Sequence, residues 1–511
     1  MTGRRLETMT FNTSAAAGVQ HLLANLLNTR PHTGQQDVDD TVAAVITVEN
    51  DLRFLGPTVQ AVLSQHVLPG TIVVADCSGR TTTSVYSTFE VIRPRTTRLD
   101  HFPEVASVQV QIVGASGALS FGDAVGKALG RAHIGDGTKY LWLLHDDSRP
   151  ASETCLEKLV EAHRNAPTAS IIGAKQLDWE ASTLHDVGSY AAPGHKVSSL
   201  VVDGEPDQEQ YDGRQDVFAV SLAGALVPLS VWNEHRGVIP WMTTFGESKD
   251  LCRRVCLGGG RVLVEPKAVI AHRRARFEGV RSRSGAPLDD GDRVNYHLAV
   301  ITAQWRYRIT DIGMPAWPLQ WLWLLLRSVV MLLVRLFDKQ PYEGLCELAL
   351  PWRALVNLPK ASSARRRVRR AARVSLAQLN QLVANRMQMK RWRERLLAFE
   401  SQRDVVLLSP LAKLHLKRQW RIRAAWAATM TVGLTLAMGV TRWNVVLALF
   451  SGGSLVSDRL LSTGASFAQV WQSATTAWSY GMGLGVSGPP HPFLLVLGLA
   501  SIVTGGHVAA A

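Results

Sequence analysis

Two adjacent carboxylates, Asp146 and Asp147, stand just after an apolar run, Tyr140 to Leu144 (YLWLL), with His145 between run and pair. Carboxylates at a strand end can hold a divalent cation, which acts as a Lewis acid toward phosphate oxygens and neutralises a departing diphosphate. A strand-end turn with solvated carboxylates is the other reading of the pair. Asp76 ends a second apolar run, Thr71 to Ala75 (TIVVA). Its carboxylate can accept the imide N–H of a uracil or thymine base, or close an Asx turn with Ser78. The segment Gly114 to Gly126 (GASGALSFGDAVG), which contains Gly122, can bring backbone close to a diphosphate and aim a helix N-terminus at it. Glu247 and Asp250 are three residues apart and share a face if helical. Either can take the proton of an acceptor hydroxyl, and both equally complement the dipole at a helix start. His272 follows an apolar run and is either a metal ligand or a solvated strand-end side chain. Cys252 and Cys256 are helix neighbours without the two further ligands that zinc requires.

The elements that must position these residues are legible as short apolar runs separated by turns. Val42 to Val48 (VAAVITV), Thr71 to Ala75, Val108 to Val113, Tyr140 to Leu144 and Ser170 to Ala174 read as buried strands. Phe54 to His66 and Glu153 to Asn165 have helical spacing, and Gly114 to Ala132 opens into a helix. Strand–helix alternation predicts a largely parallel sheet with helices on both faces, whose ligands bind at the carboxyl ends of the strands. Ala191 to Asp216, rich in Gly, Asp, Gln and Ser, reads as a long surface loop. Thr244 to Leu257 reads as a loop entering a helix, Arg261 to Glu265 and Ala268 to Ala271 as two last strands, and Asp289 to Arg308 as a helix.

The order of these motifs over Val42 to Arg276 resembles that of bacterial family 2 glycosyltransferases of GT-A fold. The resemblance implies an α/β domain with a GT-A type, Rossmann-like mixed sheet flanked by helices. It places Val48 and Glu49 at the nucleotide-contacting opening, Asp76 at the base and Asp146 at the donor. Asp147, with His272 from a later strand, takes the divalent cation, Mn2+ or Mg2+. Ala225 to Asp250 looks like the acceptor segment with its aromatic–Gly–acidic–acidic–x–Asp–Leu motif. Three departures stand out: Val48-Glu49-Asn50-Asp51 replaces the commoner Pro-Thr-Tyr-Asn, His-Asp-Asp replaces Asp-x-Asp, and Ser248 fills the second acidic position of the base motif. Glu247 or Asp250 must then serve as base. The implied activity is inverting transfer of a sugar from a nucleotide-sugar donor, a UDP- or dTDP-sugar, to a lipid-linked or polysaccharide acceptor. The alternative is a non-catalytic membrane-bound module that binds a nucleotide sugar or a partner.

The rear of the chain has another character. The formal charge is +13, and most of the excess lies between Arg353 and Arg423, beside apolar segments. That favours an anionic membrane over nucleic acid as partner. Ala424 to Thr441 and Phe493 to Ala511 are apolar runs of transmembrane type. Ala316 to Phe337 is also apolar but carries Arg327 and Arg335, costly in a bilayer, and reads as an interfacial helix with Trp317, Trp321 and Trp323 at the headgroups. Positive residues crowd before Ala424, so the positive-inside bias puts the front of the chain in the cytoplasm and makes this a multi-pass cell-membrane protein. Five scattered Cys suit a reducing compartment. The predicted organisation is a mobile leader (1–40) with room for one short amphipathic helix around Val19 to Leu27, the transferase domain (41–310), an amphipathic basic region (311–423) and two spans with an external loop (424–511).

Overall fold

The computed structural model describes residues 17–29, 36–93, 104–213, 215–289, 291–403, 410–441, 443, 447, 466–476, 478–479, 486–487 and 492–503. The chain divides into two compact units near residue 404.

The first unit is built on a ten-stranded sheet. In chain order the strands are β1 (Asp37–Val48), β2 (Val67–Asp76), β3 (Val85–Ile92), β4 (Val105–Gly114), β5 (Tyr140–His145), β6 (Ser148–Pro150), β7 (Ala169–Leu177) and β8 (Leu184–Asp186). After them come β9 (Ser189–Ala192), β10 (Lys196–Ser199), β11 (Leu226–Pro228) and β12 (Arg261–His272). The sheet order is β3-β4-β2-β1-β5-β11-β7-β12-β6, with β8 beside β7 and β9–β10 a separate hairpin. β4, β2, β1 and β5 run parallel, and β7 runs parallel to β12. β11 is antiparallel to both β5 and β7, which makes the sheet mixed, as expected.

β1 lies inside the sheet because its β-branched residues alternate between two cores. Ala43 and Val45 pack with Val73, Leu141 and Leu143 beneath α3 (Phe121–Leu129) and α6 (Glu247–Leu257). Val42, Ala44 and Ile46 pack with Ile72, Val74 and Trp142 beneath α1 (Ala17–Thr29), α2 (Leu55–Leu63) and α4 (Cys155–Asn165). The register sets the site. Val48 pairs with Asp76, Thr47 with His145 and Asp76 with Gly114, so the carboxyl ends of β1, β2, β4 and β5 reach one edge together.

Several expectations change. Within the expected leader, α1 is ordered and buries Val19 and Leu23 in the sheet's core, and β1 begins at Asp37; residues 1–16 and 30–35 lie outside the described residues. β3 is an additional edge strand; its alternating exposure leaves little apolar signal to read. Arg261–His272 is one strand rather than two, interrupted by a register shift between Glu265 and Val269. The stretch Ala191–Asp216 carries β10 and buries Leu200, Val201, Val202 and Tyr211, so it is a packed flap and not a surface loop. The helix expected from Asp289 begins only at His297.

Beyond the sheet the first unit adds α5 (Leu229–Glu234), α7 (His297–Asp311), α8 (Trp317–Phe337), α9 (Pro341–Val356), α10 (Leu358–Ala371) and α11 (Arg386–Arg403). α8 and α9 form an antiparallel pair: Arg335 meets Glu343 at 3.2 Å, Arg327 meets Glu347 at 3.0 Å, and Trp321 Nε1 donates to the Pro351 carbonyl at 3.0 Å. Both pack on α7 through Ile301, Leu324 and Leu350, while Leu319, Leu326, Phe337, Trp352 and Val356 stay exposed. α10 then returns to the sheet domain, where Arg365 donates to the carbonyls of Thr310 and Asp311, both at 2.9 Å. The second unit contains α12 (Pro410–Thr441) and helices at Phe467–Thr475 and Pro492–Val503. Met314–Phe337 and Lys417–Thr441 are long and apolar enough to cross a membrane. Most of the expected external loop and the end of the second expected span, 504–511, lie outside the described residues.

Candidate active site

A cavity of about 510 Å³ opens at the carboxyl ends of β1, β2 and β5, with Thr47, Glu49, Cys77 and His145 on its sheet side. Arg276, Arg283 and Tyr296 line the other side, together with Arg306 of α7 and Arg353 of α9. Arg306 is underneutralised: burial and the neighbouring Arg353 push its pKa down to about 10. Positive charge with so little compensation suits a polyanionic occupant.

Behind the sheet side lies the acidic cluster. Asp146 is fully buried, and its Oδ1 takes both terminal nitrogens of Arg281 at 3.1 Å. Its Oδ2 accepts from the Glu49 N–H at 3.1 Å. Asp147 Oδ2 accepts from the Ala275 N–H at 2.7 Å, which leaves Oδ1 facing two imidazoles. His145 Nδ1 is 2.6 Å from that oxygen and His272 Nε2 is 3.5 Å from it. His272 is oriented by Gln176, whose Oε1 is 3.1 Å from its Nδ1. Burial raises the Asp147 carboxyl, but His145 and then His272 outweigh it and hold the group well below the ordinary range. Burial likewise opposes charge on His145, yet Asp146 and Asp147 keep its pKa well above the usual value.

His145, Asp146 and Asp147 offer ligand atoms within 4.8 Å of one another, the one such group among the described residues. This donor set of imidazole and carboxylate suits a divalent cation. Asp147 Oδ1 is the carboxylate oxygen not already held by backbone or arginine, and His272 approaches it from β12. His145 joins the expected pair of Asp147 and His272.

The remaining expected residues are placed as follows. Val48 is buried and accepts from the Cys77 N–H at 2.8 Å, tying β1 to the turn after β2. Glu49 faces the cleft; Arg276 Nε donates to its Oε1 at 2.8 Å. Burial raises its pKa, but His145 and Arg276 prevail and bring it to about 2. Asp76 is buried with both oxygens engaged: Oδ1 takes the Ser78 N–H at 2.8 Å, and Oδ2 takes the Thr81 hydroxyl at 2.7 Å. The Asx turn is therefore formed, and Asp76 shapes the loop after β2.

Gly122 lies in the first turn of α3, which Ser120 caps by accepting from the Asp123 N–H at 3.3 Å. The Gly122 N–H donates to Glu247 Oε1 at 3.0 Å, and the Ser120 hydroxyl donates to Glu247 Oε2 at 2.5 Å. The helix N-terminus thus receives the Glu247 carboxylate. A Cβ at Gly122 would lie 2.5 Å from Val238 Cγ1, so only glycine permits this approach. Ser120 lines the cavity, and Glu247 sits one hydrogen bond behind it. Burial pushes Glu247 up to about 7, against the hydrogen bonds from Ser120 and Gly122.

Asp250 faces away from the cleft chemistry. It is fully buried, with Arg253 at 2.6 Å and Arg254 at 2.9 Å. Removing one partner of a buried ion pair strands the others, at a cost of about 3–5 kcal/mol. Asp250→Asn is therefore expected to lower unfolding stability by roughly that amount, measured by chemical denaturation; an unchanged midpoint contradicts this assignment.

Sequence reading missed the basic wall. Arg281 is fully buried and also meets Asp51 at 3.4 Å, while Gly285, at φ +81°, brings its loop against Glu49. The signal was three arginines, Arg276, Arg281 and Arg283, directly after the strand that ends in His272. Cys252 and Cys256 are buried free thiols near the carbonyls of Val220 and Phe218, which satisfies them without metal.

Residues 140–356 match the family model described as glycosyl transferase family group 2. A comparison with curated proteins finds no match. Among solved structures, the mannosyltransferase PcManGT from Pyrobaculum calidifontis, in complex with GDP-Man and Mn2+, aligns at 11% identity and TM-score 0.32, covering 81% of this chain and 94% of that one. TarS 1–349 from S. aureus, in complex with UDP-GlcNAc, aligns at 10% identity and TM-score 0.31, covering 54% and 68%. The family match runs from the start of β5 to the end of α9, and so takes in the acidic cluster, the α6 carboxylates and the arginine wall. Through residues 140–356, then, this chain is similar to the glycosyl transferase family group 2.

Proposed function

We propose that the chain is a cation-dependent, inverting glycosyltransferase. It takes a sugar from a UDP- or dTDP-sugar and transfers it to a lipid-linked or cell-envelope glycan at the cytoplasmic face of a membrane. The observation that supports this best is one cleft that has His145, in front of the buried Asp146 and Asp147, on one side and Arg276, Arg283, Arg306 and Arg353 on the other, all of them inside the segment that matches the family.

In this reading Val48, Glu49 and the loop anchored by Asp76 receive the nucleoside. Arg276, Arg283, Arg306 and Arg353 face the diphosphate, and Asp146 fixes the backbone of Glu49 and the side chain of Arg281. Asp147 and His272, with His145 beside them, hold Mn2+ or Mg2+. The bound cation neutralises charge on the departing diphosphate. Glu247 is the general base. The Ser120 hydroxyl takes the acceptor's proton while passing its own to Glu247 Oε2, and the acceptor oxygen attacks the anomeric carbon in line with the leaving group. Purified chain is expected to bind a UDP- or dTDP-sugar in Mn2+ and to lose it in EDTA, read by thermal shift; binding that ignores EDTA contradicts the cation's role.

The membrane assignment draws on the helices after the sheet. α9 returns along α8 and α10 packs on α7, so the chain on either side of this pair stays with the catalytic domain. The exposed apolar side chains of α8 and α9 then lie at the interface, and Arg327 and Arg335 are already paired with Glu347 and Glu343. Cysteines placed at Glu278 and Arg370 are expected to resist an impermeant label in intact cells, whereas one at Thr476 reacts. Labelling at Arg370 from outside contradicts this topology.

A further inference from the structure

A second basic cavity, of about 750 Å³, lies between α10 and the segment Glu234–Trp241, outside the catalytic cleft. Its construction begins with the sequence of α10, LPKASSARRRVRRA, which sets Lys360, Arg366 and Arg370 along an exposed stretch of the helix. The floor is made by two arginines. Arg254 is fully buried and donates to the carbonyls of His235 at 2.8 Å and Gly237 at 2.9 Å. Arg367 is half-buried and donates to the same segment, 2.8 Å from the His235 carbonyl. Trp241 forms an aromatic wall, its Nε1 donating to Asn357 at 3.0 Å.

Asp250 neutralises Arg254 at 2.9 Å, but the remaining charge in this cavity is unbalanced. Glu234 is its one carboxylate, and it is exposed and paired with Arg373 at 3.5 Å. Lys360, Arg366 and Arg370 have no acidic partner within ion-pair distance among the described residues. Burial, followed by the nearby Arg254, lowers the pKa of Arg367. A polyanion with oxygens on several sides relieves this repulsion, and guanidinium groups match phosphate geometry. The source of that phosphate follows from chain order. Val356, exposed at the end of the apolar α9, is four residues before Lys360, so the cavity's helix starts where the apolar surface ends.

We infer that the cavity between α10 and Glu234–Trp241 binds the phosphate of an anionic lipid headgroup. This rests on the membrane reading above but not on the transferase chemistry. Bound there, a headgroup holds α10 and the adjoining α5–α6 connection against the membrane surface, and the catalytic cleft keeps a fixed height above it.

The test uses the full chain in nonionic detergent, titrated calorimetrically with dihexanoyl phosphatidylglycerol, dihexanoyl phosphatidylcholine and inorganic phosphate. Phosphatidylglycerol is expected to bind saturably and more tightly than inorganic phosphate, and phosphatidylcholine not to bind. The triple variant K360Q/R366Q/R370Q changes only exposed residues. It is expected to weaken phosphatidylglycerol binding by roughly a hundredfold, about fivefold per basic group at an anionic surface, with Mn2+-dependent donor binding unchanged. Equal affinity of variant and parent overturns the proposal. Inorganic phosphate binding as tightly as phosphatidylglycerol, or an RNA oligonucleotide binding more tightly, also overturns it by naming another occupant. Flotation on phosphatidylcholine vesicles checks the membrane reading separately: a chain that fails to float but keeps headgroup binding removes that reading alone.

Discussion

Glu247→Gln is expected to reduce turnover by roughly 10²- to 10⁴-fold, about 3–5 kcal/mol of activation free energy, while donor affinity changes little. The base acts on the acceptor, so the donor's contacts survive. Glutamine is nearly isosteric: its carbonyl can keep the hydrogen bond from the Gly122 N–H while its amide donates to the Ser120 oxygen, so α3 and α6 stay docked. The same residue sets a pH profile. Burial holds its carboxyl at about 7. A base must be deprotonated, so activity is low below that pH and rises through about 7 to a plateau, and the variant loses this limb. Ser120→Ala, which breaks the path to the cleft, is expected to give a smaller loss of the same kind. Ser248 is half-buried with its hydroxyl near the Leu222 N–H at 3.4 Å; Ser248→Asp is expected to preserve or raise turnover by supplying a second carboxylate. Parent-level transfer by Glu247→Gln would falsify the base assignment.

Asp147→Asn is expected to abolish cation-dependent donor binding with the fold retained. Even changing a partner that only orients a metal ligand typically costs 10- to 100-fold in affinity, so losing a charged ligand is expected to exceed about 100-fold. Asparagine fits the same volume, and its carbonyl can keep the hydrogen bond from the Ala275 N–H, which ties β5 to the loop after β12. The loss should appear in Mn2+ titrations of both donor binding and thermal stability. Unchanged Mn2+-dependent affinity in this variant contradicts the metal assignment.

Strands buried on both faces were readable because their apolar runs have no competing pattern. Val42 to Val48 and Tyr140 to Leu144 announced β1 and β5, and with them the position of Asp146 and Asp147. β3 was not readable, since an edge strand with alternating exposure leaves few apolar residues in sequence. The acidic half of the site could be found because each carboxylate ends a strand. The basic half could not. Arg276, Arg281 and Arg283 occupy an irregular loop whose closure over Glu49 depends on tertiary contacts such as the Asn50 amide donating to the Ser284 carbonyl at 2.7 Å. Glu247 and Asp250 both qualified in sequence, three apart on one helix, with only Glu247's place beside Gly246 at the helix entry to favour it. Their environments separate them: one meets a serine at the cleft, and the other meets two buried arginines.

The central claim is turnover, which separates an enzyme from a module that only binds. The most direct measurement is release of nucleoside diphosphate by the purified full chain from a panel of nucleotide sugars, with Mn2+ or with EDTA. Mn2+-dependent release from at least one UDP- or dTDP-sugar is expected, lost in Asp147→Asn and strongly reduced in Glu247→Gln. Binding of a donor without release, from any sugar in the panel and with acceptor-containing membrane extract present, would contradict it and leave a nucleotide-sugar-binding module in its place.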